Sequence, residues 1–582
     1  VGTRFKLGLL GGAALAIALA GVTDARAQTP DTSSPSPQPS ETSPFPPTDQ
    51  TNPQQSSQYG LPPSTNPSPA SGSGAYAQQQ AQLQANAPPY LISETFGIDE
   101  TANDNIYATS DNRRADLSSY LSAGVNASAS TSRLTGTLSM TGFYKDNIHD
   151  SSDDQFLGYG YGNARVVILP DNLFLNINGS ADDVSRTGGG VQNALAQTAQ
   201  DTHSYDLSAS PTLVNQFGDI GTNILTYQVG KVWFNNNTAP IILPGLDVGP
   251  ISSAFNQSAQ ETFRMPGTIL ARLLTDISLR ASENDSGLLG SGRYTNLNGE
   301  VINEYEITRS IGLIGGVGYE KLHDDIYKTV DGSDVIWDAG IRVKPNVDSD
   351  IIVTYGRHDL QSDFSGELHW QLTPFTSVYA SYADSVTNSQ QALIGNVAAS
   401  QLGIGGAESG LTDDQSTVIG TLDMGDIGAA PGTQASFGVP ISVLDNALPL
   451  QNGLFRIKSL QGSLQTTLDD SYPSSLTVYH LDSTQLTGSG SSISQIGQHE
   501  TSDGVTFSVS RQFNEDFSSA GSASFSRTNF GNTYDVSIGA NDVLSETLSV
   551  IARYDLISRD GHNGLQGYTQ NLLTLGLHAT LN

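Results

Sequence analysis

The stretch that most constrains this chain runs from Leu573 to Asn582. Leu573, Leu575, Leu577, Ala579 and Leu581 alternate there with Thr574, Gly576, His578 and Thr580. Side chains of a strand point to opposite faces at successive residues, so this is a strand with one apolar and one wet face. Such a strand needs lipid or a core on one side and a polar space on the other. It is the expected closing strand of a membrane barrel, and the rest of the chain is read as its partner set.

The composition agrees. Of 582 residues, 60 are glycine and only 14% are charged, against about a quarter in soluble globular proteins. A barrel that faces lipid outside and a polar, mostly uncharged space inside needs little more charge than this. A soluble β-helix or a string of sandwiches shares the composition. The absence of cysteine excludes a disulfide framework, a thiolate metal site and a lipoprotein anchor. A net charge of −32 argues against nucleic acid and anionic membrane surfaces as partners. The acids are left to loops, rims or a lumen, and the sequence does not say which.

Arg4 and Lys6, the apolar run Leu7 to Ala20 and Ala25-Arg26-Ala27 read as a signal peptide over 1–27. A membrane-anchoring helix fits less well, because the run is short and rich in Gly and Ala. No later stretch is apolar for 18 consecutive residues, so any membrane crossing beyond it is made by strands. Residues 28–89 are dominated by Pro, Ser, Thr, Gln and Asn. Too few apolar side chains are present to offset the entropy of ordering, and a disordered periplasmic linker is expected. A spacer is favoured over a segment that binds peptidoglycan or a partner.

From Tyr90 the chain alternates in segments of about ten residues, the pattern of a transmembrane barrel. Leu134, Gly136, Leu138 and Met140 share one face, and Val505, Phe507 and Val509 another. Short turns such as Pro170-Asp171-Asn172, Lys344-Pro345-Asn346, Thr373-Pro374-Phe375 and Asn514-Glu515-Asp516 have the residues that turns demand. They alternate with long connections near 185–201, 233–257, 322–333, 387–451 and 487–501. Barrels sort their connections this way, and no fixed repeat suggests a solenoid. The expectation is an all-β fold, a transmembrane antiparallel β-barrel over 90–582 of roughly 18–22 strands, with 22 the direct count. An even count places linker and C-terminus together in the periplasm. The least defined place is 258–283, where Pro266-Gly267 is an ambiguous turn.

No catalytic, cofactor-binding or metal constellation stands out. His499-Glu500 has no second His at helical spacing. Gly312, Gly315, Gly316 and Gly318 lie within a strand pattern rather than before a helix, which points to bending or close packing. No Gly-x-Ser-x-Gly elbow sits in a strand-to-helix context. Asp150, Asp153 and Asp154, and Asp324, Asp325, Asp331 and Asp334, suit Ca²⁺ or bridging to lipopolysaccharide, although solvated loop charge is the simpler reading. Trp337, Trp370, Tyr355, Tyr379 and Tyr382 are candidate girdle aromatics at the lipid interfaces, with a sugar path as the alternative. Asn176, Asn178 and His578 are the candidate lumen-lining residues. The Gly- and Ala-rich stretch 387–451 is a candidate constriction.

Leu169-Pro170-Asp171-Asn172-Leu173-Phe174-Leu175, Tyr205-Asp206-Leu207-Ser208-Ala209-Ser210-Pro211 with Gln216-Phe217-Gly218, and Gly318-Tyr319-Glu320 follow one another in order. Trp337 with Gly340 and Pro345, Tyr355-Gly356-Arg357 and Ser381-Tyr382 continue the series. Over most of 90–582 the chain thereby resembles the PEP-CTERM-system-associated outer-membrane β-barrel family, which is found with exopolysaccharide loci. The enlarged stretch 387–451 and final residues without the usual aromatic depart from it. The resemblance implies a porin-like outer-membrane barrel linked to polysaccharide export and no catalytic residue. Expected partners are outer-membrane lipid and lipopolysaccharide, the barrel assembly machinery and polysaccharide export components. The alternatives are a structural or adhesive barrel without a pore, a soluble periplasmic β protein and a barrel enzyme.

Overall fold

The computed structural model describes residues 89–581 apart from parts of the connections, chiefly 149–154, 186–200, 235–240, 249–252, 266–271, 286–292, 325–330, 388–453 and 487–498. The expected signal peptide, nearly all of the linker and the expected constriction over 387–451 therefore lie outside the described residues, as do Asp150, Asp153, Asp154 and Asp325.

The strands are β1 (Tyr90–Asn103), β2 (Asp116–Ser130), β3 (Leu134–Asn147), β4 (Gln155–Leu169), β5 (Leu173–Ser185), β6 (Asp201–Gln216), β7 (Thr222–Phe234), β8 (Ile241–Leu243) and β9 (Leu246–Val248). They continue as β10 (Ala254–Met265), β11 (Leu273–Asp285), β12 (Arg293–Thr308), β13 (Ile311–Asp324), β14 (Gly332–Val343), β15 (Asp350–His358), β16 (Gln361–Thr373) and β17 (Thr376–Thr387). The last are β18 (Phe455–Leu468), β19 (Tyr472–Gln485), β20 (His499–Gln512), β21 (Phe517–Thr528), β22 (Gly531–Ser545), β23 (Leu548–Gly561) and β24 (Tyr568–Leu581).

β8 and β9 pair only with each other, and the other strands form one antiparallel sheet of 22. Each strand pairs with its neighbour in sequence, β7 pairs with β10 across the small hairpin, and β1 pairs with β24. The last pairing removes both free edges, so the sheet is a closed barrel. Twenty-two strands are the upper end of the expected range. Pro266-Gly267 lies between β10 and β11.

Alternation sets the two faces. In β13, Leu313, Val317 and Tyr319 are exposed, whereas Ile314, Glu320 and Leu322 are buried. The exposed set is apolar and faces outward. Over the sheet as a whole the buried residues, which face inward in a closed barrel, are mostly polar, with apolar ones such as Ile314 and Leu322 among them. Trp337, Tyr355 and Phe364 belong to the outward set and touch, at ring-centroid distances of 5.7 and 4.8 Å. Trp370 is exposed as well. Tyr379 corrects the girdle expectation: it pairs opposite Ser463 on the buried face and is 6% exposed.

In β24 the alternation places Leu573, Leu575, Leu577 and Leu581 outward and Thr574, Gly576, His578 and Thr580 inward. Register runs from Glu94↔Leu581 to Asn103↔Leu572, and a slip of one residue would turn every leucine inward. Side chains reinforce the seam. Thr101 and Thr574 share a hydroxyl hydrogen bond of 2.9 Å, and His578 Nε2 lies 2.8 Å from Asp99 Oδ1. A Cβ at Gly576 would collide with Asp99 Oδ1, so glycine there makes the His578–Asp99 contact possible.

The ends of the barrel differ. At the end holding Tyr90 and Leu581 the connections are tight, as at 131–133, 170–172, 309–310, 374–375, 469–471 and 546–547. At the other end most are long, including 104–115, 186–200 and 388–454, but 359–360 and 529–530 are tight.

Candidate functional site

The inner wall from β11 to β16 concentrates charge. Buried Asp276, Glu300, Glu304, Glu320, Asp324 and Asp338 lie there with Arg280 and buried Arg342. Most of these acids have a dedicated donor. Arg342 donates to Glu304 Oε2 at 3.2 Å and to Asp350 Oδ1 at 2.9 Å. Arg264 donates to both oxygens of Asp276 at 3.2 and 3.3 Å. Removing one member of such a buried pair leaves an uncompensated charge, so these contacts fix neighbouring strands to each other.

Glu320 has a different role. β15 is a short strand, and the turn after it, Asp359-Leu360, has φ of 48° and 65°. Left-handed backbone is unfavourable for a residue such as leucine and persists only where its surroundings enforce it. The N–H of Asp359 donates to Glu320 Oε2 at 2.9 Å and that of Leu360 to Oε1 at 2.8 Å. Val386 N–H donates to Asp359 Oδ2 at 3.1 Å. Burial pushes the Asp359 carboxyl above its usual range, against the Val386 hydrogen bond and the Arg456 charge. Leu360 packs on buried Tyr294, Leu322 and Leu454. The turn is thus clamped by β13 on one side and by β17 on the other.

Beside this turn, Glu300, Asp338 and His358 present one ligand-type atom each, all within 4.8 Å of one another. They stand on β12, β14 and β15. Register explains their meeting: Glu300 pairs opposite Gly318, Gly316 opposite Asp338 and Asp338 opposite Gly356. The glycines lower the wall between the three side chains, and a Cβ on Gly318 would lie 2.6 Å from Glu300 Cβ. His358 Nε2 is 2.8 Å from Asp338 Oδ2, and Ser278 Oγ donates to Glu300 at 3.2 Å. Sequence reading missed this cluster. Its trace was the glycine run in β13, read as bending or close packing; Gly316 and Gly318 are closely approached, whereas Gly315 has open space beside it.

The candidate lumen residues all lie on the inward face, with Asn178 1% and His578 5% exposed. They do not meet: Asn176 and Asn178 are on β5, whereas His578 is at the seam. Around Asn178 the wall keeps unused hydrogen-bonding atoms. Both amide atoms of Asn178, Oδ1 of Asn176 and Oγ of Ser208 are buried and without a protein partner. The described members of the expected acid cluster in 324–334 make local contacts. Asp331 accepts from Asp324 N–H at 2.7 Å and lies 3.2 Å from His323, and Asp334 pairs with Arg357.

No family model and no curated protein matches this chain. Several solved structures share part of this chain's course. The FrpB iron transporter of Neisseria meningitidis, F3-3 variant, matches at 11% identity and TM-score 0.46, over 86% of this chain and 83% of that one. The siderophore receptor PirA of Pseudomonas aeruginosa matches at 10% identity and TM-score 0.36, over 85% and 81%. The ferric-catecholate import receptor Fiu of E. coli, in its open form, matches at 10% identity and TM-score 0.40, over 84% and 81%. Likeness at this level concerns the course of the barrel and carries no ligand across.

Proposed function

We propose that this protein is an outer-membrane barrel through which polar solutes pass, with a preference for cations. The observation that carries the reading is the division of its two faces. Outward residues such as Leu313, Val317, Leu575 and Leu577 are apolar and exposed on a closed sheet, which suits hydrocarbon and not water. Inward residues are polar, and over β11 to β14 acids outnumber bases. Rings of acidic side chains favour cations in aqueous pores. Passage is diffusive or guided, with no chemical step, on the side of the sheet to which Asn176, Asn178 and His578 point.

The finer reading, a link to exopolysaccharide export, rests on the family resemblance. The purified chain is to be inserted in a planar bilayer under a KCl gradient. Steps of conductance with a reversal potential of cation-selective sign are expected. A folded, inserted barrel without conductance would sink the passage reading and leave a barrel that only displays its loops.

A further inference from the structure

We infer that Glu300, Asp338 and His358 form a binding site for a divalent transition-metal ion in the inner wall, of the zinc class. The three ligand-type atoms already lie within 4.8 Å of one another. One ion with ligand distances of about 2.0–2.2 Å brings them together through side-chain rotation alone. The donor set is one imidazole nitrogen and two carboxylates. Imidazole favours zinc, copper, iron and nickel, whereas sites made only of oxygen suit magnesium and calcium.

Two features distinguish the group from the other acids of this wall, most of which are buried as it is. Glu304, Asp350 and Asp276 are each taken by an arginine, and Glu320 by two turn amides. Glu300 and Asp338 are instead held by a serine hydroxyl and by His358, the third ligand. Both carboxylates are buried, at 4% and 5% exposure. Carboxylates so placed are stabilised by a positive charge beside them, which His358 supplies when protonated and an ion supplies in its place. Lastly, Gly316, Gly318 and Gly356 clear the wall between the strands, and a Cβ at Gly356 would strike Asp338. The cradle exists because three inward positions carry no side chain.

On binding, the His358–Asp338 contact is replaced by two bonds to the ion, and β12, β14 and β15 become tied beneath the clamped turn. The inference does not depend on an open lumen, because the ligands belong to the wall itself.

The test is calorimetric titration of ZnCl₂ into the full chain, folded in detergent and freed of metal by chelator. Wild type is expected to show a saturable site. Asp338→Asn, Glu300→Gln and His358→Gln are each expected to weaken it at least about tenfold, the scale on which even outer partners of a metal matter. MgCl₂ is expected to compete poorly. His480 and Asp503 form an exposed pair 2.6 Å apart elsewhere on the barrel, so His480→Gln is the control expected to leave binding unchanged. Heat-modifiable gel mobility identifies the variants that fold, and any one of the three that folds suffices. No saturable zinc binding by wild type overturns the inference. So does undiminished binding in a folded variant, or its loss in His480→Gln.

Discussion

Single side chains in this barrel are constrained mainly by the face they occupy. Leu577 pairs opposite Ile98 on one side and Val550 on the other, points outward and is 47% exposed. Leu577→Arg places a cation where hydrocarbon is expected, at a cost of about 2–4 kcal/mol if the residue sits near mid-membrane. Denaturant titration of the folded barrel in lipid checks this, and a variant as stable as wild type would remove Leu577 from that depth. The next residue in the chain, His578, belongs to the opposite world. It is buried against Asp99, whose Oδ2 has no other partner. One step along a strand thus separates a lipid-facing leucine from a buried ionisable pair.

Elements show where sequence reading succeeds and where it stops. Strand positions were legible because a period of two, bounded by Pro, Asn and Asp turns, admits few alternatives. Pro170-Asp171-Asn172 is a turn as read, with Asp171 in left-handed backbone at φ 62°. The turn at Asp359-Leu360 carries a weaker signal: Asp359 tolerates left-handed backbone but Leu360 does not, and Glu320, from a strand two places away, holds the N–H groups of both. The cluster at Glu300 was hidden for the same reason. Its members stand on three strands and meet only through the register of four. Glu320→Ala is expected to leave the two turn N–H groups without their acceptor, costing about 1–3 kcal/mol. Lowered thermal midpoints of heat-modifiable mobility would show it. Unchanged stability would mean that water replaces the carboxylate there.

At the scale of the whole molecule the buried apolar residues among those described do not form a single core. Buried apolar residues form separate inward patches, such as Tyr120, Phe143, Tyr159, Ile557 and Leu572 and Ile302, Ile314 and Ile352. Integrity rests instead on an uninterrupted hydrogen-bonded ring. Removing β24 by ending the chain after Gly567 is expected to abolish the heat-modifiable folded form, since β1 and β23 become open edges. A truncated chain that still folds and fractionates with membranes would show that β1 and β23 can close the ring between them.

The seam has a consequence in time. His578 and Asp99 are 479 residues apart in sequence, and contacts of such separation form late because the loop between them must first be closed. Every other wall pairing joins strands adjacent or nearly adjacent along the chain. β1 therefore precedes every other strand of the wall in the chain, and its pairing is completed only when β24 joins it. Through nearly the whole course of folding it waits with one bare edge, and a partner that shields a strand edge would act on β1 before any other part of the wall.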